Sequence, residues 1–495
     1  MNIWPVLLNN LLMTALAPLI RHALRDMQKP HTRKRMSALP FIDSPAAGGI
    51  PIYALAASDW ARFSESAQDG LRRLAQAMDF KAQQGRILLQ QNGDGALSGV
   101  LFGLGDARNA ALFGLLGRDL PSGDYSIANA PESLSRTEIA IAWALGAYVF
   151  DRYKARKKAA PRLAWPEGLD RGHVTRLVRA VWGARDLVNT PANDMGPEAL
   201  HAAAEAIAHQ RGAKFDAIVG EELLKQNYPL IHAVGRAATQ SPRIVKMSWG
   251  DEKAPRVTLV GKGVTFDSGG LDIKPDTGMR LMKKDMGGAA VALSLGAAIM
   301  DAGLPVRLDV YCAIVENAIS GDAFRPGDIV TSRKGLTVEV DNTDAEGRLI
   351  LADALARASE DAPALMLDFA TLTGAARIAL GPDITPLMTD DDALSADFTK
   401  ASAATGDMTW RLPLWNAYDS DMDSPIADLK NTGDAAMAGS IYGGLFLRRF
   451  VNAAAWAHLD IYAWTPKDKP ARPAGADAQG LRAAYHVIAD RFGTR

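Results

Sequence analysis

From residue 256 onward, apolar runs of strand length alternate with longer stretches whose apolar residues recur at a helical period. Strand-like runs fall at residues 256–260, 306–315, 336–340, 364–369 and 457–461, and helical ones such as 289–300 and 350–359 lie between them. This rhythm predicts an α/β fold with a mixed, largely parallel sheet, because parallel strands need a crossover that a helix supplies on either face. Such sheets expose their chemistry just past the carboxyl ends of the strands. Upstream the pattern is looser. Residues 36–165 are alanine-rich, with apolar runs at 87–90 and 98–103 and a helical stretch at 137–153, and they carry no motif with evident chemistry. Residues 154–162 are basic, contain Pro161 and suit a linker.

Length and charge narrow the picture. A chain of 495 residues exceeds one ordinary core and predicts two domains or more. A formal net charge of -1 gives no global basicity, so no nucleic-acid partner is expected. The single cysteine, Cys312, excludes an internal disulfide framework and fits a reducing, cytoplasmic setting. It lies in the apolar run 310–315 and reads as a buried strand residue rather than a nucleophile. Residues 1–35 stand apart: an apolar stretch (3–20) precedes Arg21, Arg25, Lys29, Arg33, Lys34 and Arg35, the reverse of a secretory signal. Pro5, Asn9, Asn10 and Pro18 make a poor spanning helix. The segment reads as an upstream extension from a mis-chosen start codon, with Met36 the ordinary start, rather than as a membrane contact.

Candidate chemistry concentrates in two clusters. Asn342-Thr343-Asp344-Ala345-Glu346-Gly347-Arg348-Leu349 sits between a strand-like and a helix-like run. Read as extended backbone, its alternate residues Asp344, Glu346 and Arg348 project together. The second cluster, Val260 to Gly270, follows a strand-like run and leads to Lys274 and to Lys283-Lys284-Asp285. Together they assemble Lys262, Asp267, Lys274, Asp285, Asp344, Glu346 and Arg348. Any one of these charges alone reads as a solvated loop residue; the joint pattern carries the signal. Four carboxylates balance two divalent cations, and a paired-metal site with ions roughly 3.5–4 Å apart turns a shared water into a nucleophile. The eight histidines show no ligand spacing, and His458 reads as a core residue.

The same text resembles the leucyl aminopeptidase family, the M17 metallopeptidases. The resemblance rests on the segment 260–270, Ile273-Lys274-Pro275, residues 282–290, Glu316-Asn317, Arg325-Pro326-Gly327-Asp328, the octapeptide, Thr371-Leu372-Thr373-Gly374-Ala375, residues 186–193 and 456–461. It covers roughly residues 180–495, and implies a catalytic domain at 166–495 behind a smaller, more variable α/β domain at 36–165. It implies that Asp267 and Glu346 bridge two ions (Mn2+ or Zn2+), that Asp285 and a neutral Lys262 complete one site and Asp344 the other. A metal-bridging hydroxide would attack, Lys274 would stabilise the oxyanion, and Arg348 would hold a bicarbonate that relays the proton. Met282, Thr371 and Gly374 would line the pocket for the first residue of a peptide with a free amino terminus. A cytoplasmic homohexamer with inward-facing sites is also implied. Tyr462-Ala463-Trp464 replaces the family's usual Ala-Gly pair, which puts a strict leucine preference in doubt and points to a peptidase B-like subgroup. The alternatives are a two-metal phosphoesterase, for which no phosphate cradle is visible, and a catalytically dead relative, although every ligand position is filled.

Overall fold

A computed structural model of the chain describes residues 38–43, 49–106, 109–434 and 436–493. The expected extension 1–35 lies outside the described residues. Residues 40–148 and those from 160 onward cluster as one compact unit, and 38–39 with 149–159 belong to a second, small one.

Within the larger unit, the first sheet has six strands: β1 (Phe41–Ile42), β2 (Ile50–Ala56), β3 (Ile87–Gln91), β4 (Leu97–Gly105), β5 (Asp124–Asn129) and β6 (Arg162–Ala164), in the order β1-β6-β5-β2-β4-β3. Its pairings are parallel except β3 with β4. The helix expected at 137–153 is α1 (Arg136–Gly146), opened by the Ser135 side chain accepting from the Glu138 amide. A Cβ on Gly146 would stand 2.0 Å from the Gly114 carbonyl oxygen, so this end of α1 is pressed against backbone. The presumed linker 154–162 ends inside β6, a strand of this sheet.

The second sheet has eight strands: β7 (Lys214–Val219), β8 (Arg243–Trp249), β9 (Arg256–Asp267), β10 (Arg307–Asn317), and, past the small-sheet strands β11 (Ile329–Thr331) and β12 (Thr337–Glu339), β13 (Leu365–Ala370), β14 (Thr385–Met388), β15 (Thr409–Arg411) and, after β16 (Leu429–Lys430), β17 (Trp456–Asp460). Their order is β15-β14-β17-β13-β9-β10-β8-β7, with the central run β17-β13-β9-β10 parallel and antiparallel pairs towards both edges. Helices α2 (Arg171–Asn189), α3 (Gly287–Ala302) and α4 (Glu346–Ser359) pack around it. Cys312 and His458 are fully buried on β10 and β17, and His458 Nδ1 pairs with Asp368.

One departure from the sequence reading matters. The strand expected at 256–260 runs on to Asp267. Gly261 and Gly263, past the expected strand end, are strand residues that let neighbouring backbone approach. A Cβ on Gly261 would lie 2.6 Å from Ala289 Cα, and one on Gly288 of α3 would lie 2.0 Å from the Phe369 oxygen of β13. This glycine seam seats α3 directly on the strands that carry the candidate site.

Candidate metal centre

Three chain segments converge at the carboxyl end of β9. Lys262 projects from the strand on the face shared with Val260 and Val264, which pack against α4. Asp267 closes the strand. Asp285 comes from the 3-10 turn Met282–Met286 that leads into α3, and Asp344 and Glu346 come from the entry to α4. Glu346 is itself the first helical residue, so the octapeptide is not extended and alternation is not what joins its charges. Residues two apart on a helix point roughly 200° apart. Asp344 and Glu346 meet because the chain turns into the helix between them, whereas the Arg348 guanidinium donates from Nη1 to the Asn431 carbonyl at 2.7 Å.

Carboxylate oxygens of Asp267, Asp344 and Glu346 lie within 4.8 Å of one another. Lys262 Nζ stands 2.8 Å from Asp285 and 2.9 Å from Glu346, and donates to the Thr371 carbonyl at 3.2 Å. Lys274 Nζ is 2.8 Å from Asp267 and pairs with Asp344. Asp267 also accepts from the Gly269 amide and Asn317 Nδ2, each at 2.9 Å. Thr371 Oγ1 donates to Asp285 at 2.7 Å. Gly269 and Gly270 hold φ of 89° and 68°, and a Cβ on Gly269 would meet the Asp272 carbonyl at 2.5 Å, so this turn requires glycine.

The electrostatics are those of anions crowded out of water. Burial, and then Asp267, push Glu346 up to about 8 and the half-buried Asp344 up to about 6. Burial opposes the charge on both lysines, but the facing carboxylates outweigh it and hold Lys262 and Lys274 above their ordinary values. Burial lowers Arg348 to about 10, so it stays protonated at neutral pH and cannot serve as a base. Glu346 Oε1 meets the Lys262 ammonium at 2.9 Å, whereas its buried Oε2 has no hydrogen-bond partner and Arg348 Nε has no acceptor among the described residues. A buried carboxylate oxygen without a donor, beside three further carboxylates, is what a cation site needs, and an unpartnered guanidinium nitrogen suits a small oxyanion.

Of the remaining expected residues, Thr371 is buried beside Asp285, Met282 opens the 3-10 turn, and Gly374 starts the helix Gly374–Leu380 in an exposed position. Sequence reasoning did not single out three supporting roles. Asn317 ties Asp267 to the Thr343 carbonyl, Asn431 accepts the Asp341 amide at 2.8 Å, and Asp460 accepts the Thr373 hydroxyl at 2.6 Å. Only Asn317 had a signal, a polar residue ending a long apolar strand. A separate groove of about 470 Å³, lined by Lys214, Tyr228, Tyr311 and Arg357 among others, contains none of these carboxylates.

Comparison with known proteins agrees with this geometry. Residues 182–485 match the cytosol aminopeptidase family, catalytic domain, and residues 50–166 match the M17 aminopeptidase, N-terminal domain. The chain is 41% identical over 366 residues to a probable cytosol aminopeptidase of Chelativorans sp., covering 70% of this chain and 73% of that one. It is 37% identical over 456 residues to one from Syntrophotalea carbinolica, covering 84% and 91%. The crystal structure of the Coxiella burnetii cytosol aminopeptidase superposes with a TM-score of 0.87 at 42% identity, over 91% of this chain and 99% of that one. The bottromycin maturation enzyme BotP in complex with Mn superposes at 0.81 and 32% identity, over 89% and 99%. A glycine-seamed α/β sheet, a carboxylate cluster at its strand ends and these matches have one reading: the chain belongs to the cytosol aminopeptidase (M17) family and is a metalloaminopeptidase.

Proposed function

We propose that the cluster is a two-metal centre that releases the first residue from peptides with a free amino terminus. The observation that carries this reading is the buried Glu346 carboxylate, which has a Lys262 ion pair on Oε1 and no hydrogen-bond partner on Oε2 among the described residues, and lies within 4.8 Å of carboxylate oxygens of Asp267 and Asp344. Asp267, Asp285, Asp344, Glu346 and Lys262 would hold the ions, Mn2+ or Zn2+, Lys262 as a neutral amine. When bound, such ions supply Lewis-acid polarisation and a water acidic enough to attack at neutral pH. Lys274 keeps its proton and directs its charge at the oxygen of the scissile carbonyl, where negative charge develops. Arg348, permanently charged, offers its free Nε to a small oxyanion such as bicarbonate. Met282, Thr371 and Gly374 border the first side chain. A cytoplasmic homohexamer belongs to the same reading and rests on the family resemblance alone. The phosphoesterase alternative has no support, since the matched family is one of aminopeptidases.

The test combines metal analysis with a panel of aminoacyl anilides. Two divalent ions per chain and hydrolysis of leucyl anilide are expected, and Glu346→Ala or Asp267→Ala should lose both activity and the second ion. Either variant keeping two ions and full turnover would sink the dinuclear assignment.

A further inference from the structure

The turn that carries Lys274 has little to stiffen it from within. It leaves β9 after Asp267 and passes through Gly269 and Gly270, both at left-handed φ, and glycine contributes no side chain that packs. The Lys274 amide closes the turn by donating to the Ser268 carbonyl at 3.0 Å. Its ammonium reaches Asp267 and Asp344 on a flexible stem. A charge that acts on a developing oxyanion has to be held in place, because a misplacement of about 1 Å costs on the order of 100-fold in rate.

The stiffness comes from Thr343, on the segment that enters α4. Thr343 is fully buried, and its hydroxyl, amide and carbonyl are all engaged. The hydroxyl donates to the Gly269 carbonyl at 2.7 Å and accepts the Asp272 amide at 2.8 Å. The Thr343 amide donates to Asp272 Oδ2 at 2.8 Å, and its carbonyl accepts Asn317 Nδ2 at 3.1 Å. Thr343 and Asp272 therefore exchange hydrogen bonds reciprocally, side chain to main chain in each direction, across 71 residues of sequence. The fit is close: a Cβ on Gly270 would stand 2.9 Å from Thr343 Oγ1. Asp272 itself is exposed and stands outside the carboxylates whose oxygens converge within 4.8 Å, so metal holding does not account for it.

We propose that Asp272 and Thr343 are positioning residues: their reciprocal hydrogen bonds fix the turn so that Lys274 keeps its ammonium aimed at the scissile carbonyl. The assignment rests on the aminopeptidase reading and on the role given there to Lys274. Both residues act through Lys274 and not on the substrate. Thr343 directly precedes Asp344, so the clamp ties the turn of Lys274 to the segment that supplies an assigned ligand. An oxygen acceptor at position 272 is enough to hold the Thr343 amide, and no negative charge is required there. That requirement separates the clamp from a long-range effect of the Asp272 charge, which an amide would abolish.

The experiment measures kcat and KM for leucyl anilide, and bound Mn2+, with Asp272 varied both in the wild type and in Lys274→Ala. Asp272 is on the surface, so Asp272→Ala is expected to fold; it should lower kcat by about tenfold, with KM changed by under about twofold and both ions retained. Asp272→Asn keeps an oxygen for the Thr343 amide and should recover most of that loss, as Thr343→Ser should recover the loss seen in Thr343→Val. In Lys274→Ala the further substitution Asp272→Ala should change kcat by under about twofold, because the clamp then has no ammonium to aim. Four results each overturn the clamp and leave the peptidase reading intact: unchanged kcat in Asp272→Ala, loss of an ion from it, Asp272→Asn as slow as Asp272→Ala, or an undiminished loss in the Lys274→Ala background. A wild type that does not hydrolyse leucyl anilide overturns the peptidase reading, and Lys274→Ala as fast as the wild type overturns the role of Lys274; the clamp falls with either.

Discussion

Gly347 offers a way to move Lys262 without mutating it. It is the second residue of α4, where alanine would favour the helix by about 1 kcal/mol. A Cβ there, however, would lie 2.6 Å from both Cε and Nζ of Lys262 and 2.7 Å from Cδ. To recover an ordinary contact near 3.4 Å the amino group has to retreat by about 0.8 Å. Lys262 is 3% exposed and has no free space to take, so the retreat carries its 2.8 and 2.9 Å ion contacts to about 3.6 Å. At an effective dielectric near 20, each buried pair weakens by roughly 1 kcal/mol, about 2 kcal/mol together, which exceeds the helical gain. Gly347→Ala should therefore destabilise the chelator-treated protein by about 1–2 kcal/mol in urea unfolding. Because the displaced amine is also an assigned ligand, Mn2+ affinity should fall on the order of 10- to 100-fold, measured by titration calorimetry. Unchanged affinity for both ions together with unchanged turnover would refute Lys262 as a ligand.

Lys274→Ala should lower kcat by roughly 100-fold or more while both ions stay bound, because its charge acts on the developing oxyanion; unchanged turnover would contradict that role. Arg348→Ala should be milder and partly restored by added bicarbonate, and insensitivity to bicarbonate would count against an oxyanion at that guanidinium. In the metal-free protein, Glu346 is raised to about 8 and Asp344 to about 6, with buried Asp353 raised to about 7 by desolvation. Above the ordinary carboxyl range the folded chain then holds protons that the unfolded chain has lost. Stability is full at low pH within this window and declines as pH rises through 6 to 8. Mn2+ should remove much of that decline by displacing the protons; a urea midpoint that climbs from pH 5 to 8 without metal would contradict the site's electrostatics.

The β–α rhythm in the catalytic half was legible because buried parallel strands and their covering helices leave long apolar runs. The site's residues were legible as a family pattern, but their geometry was not. Glycines at 261 and 263 are ambiguous in one dimension: the same residue permits a loop or a close backbone approach, and only the position of Ala289 decides. The octapeptide misled for a related reason. Helix α4 opens on Glu346 with Ala345 at its N-cap, and Thr343 and Asp344 just upstream do not cap it, so no capping signal marked its start. Helix α1 stopped at Gly146, short of the expected residue 153, where its backbone abuts Gly114.

The glycine seam divides what this protein can change from what it cannot. At Gly261 and Gly288 even a methyl group meets main chain, which cannot rotate aside, so drift at these positions separates α3 from β9 and with it Asp285 from Lys262. Gly374 and Arg377 stand instead on an exposed helical turn. If Met282, Thr371 and Gly374 border the first side chain as proposed, single substitutions on that rim would change substrate preference while the reaction stays under strict steric constraint. Variant libraries aimed at new amino-terminal residues belong on that rim, and the seam is where they will return inactive protein.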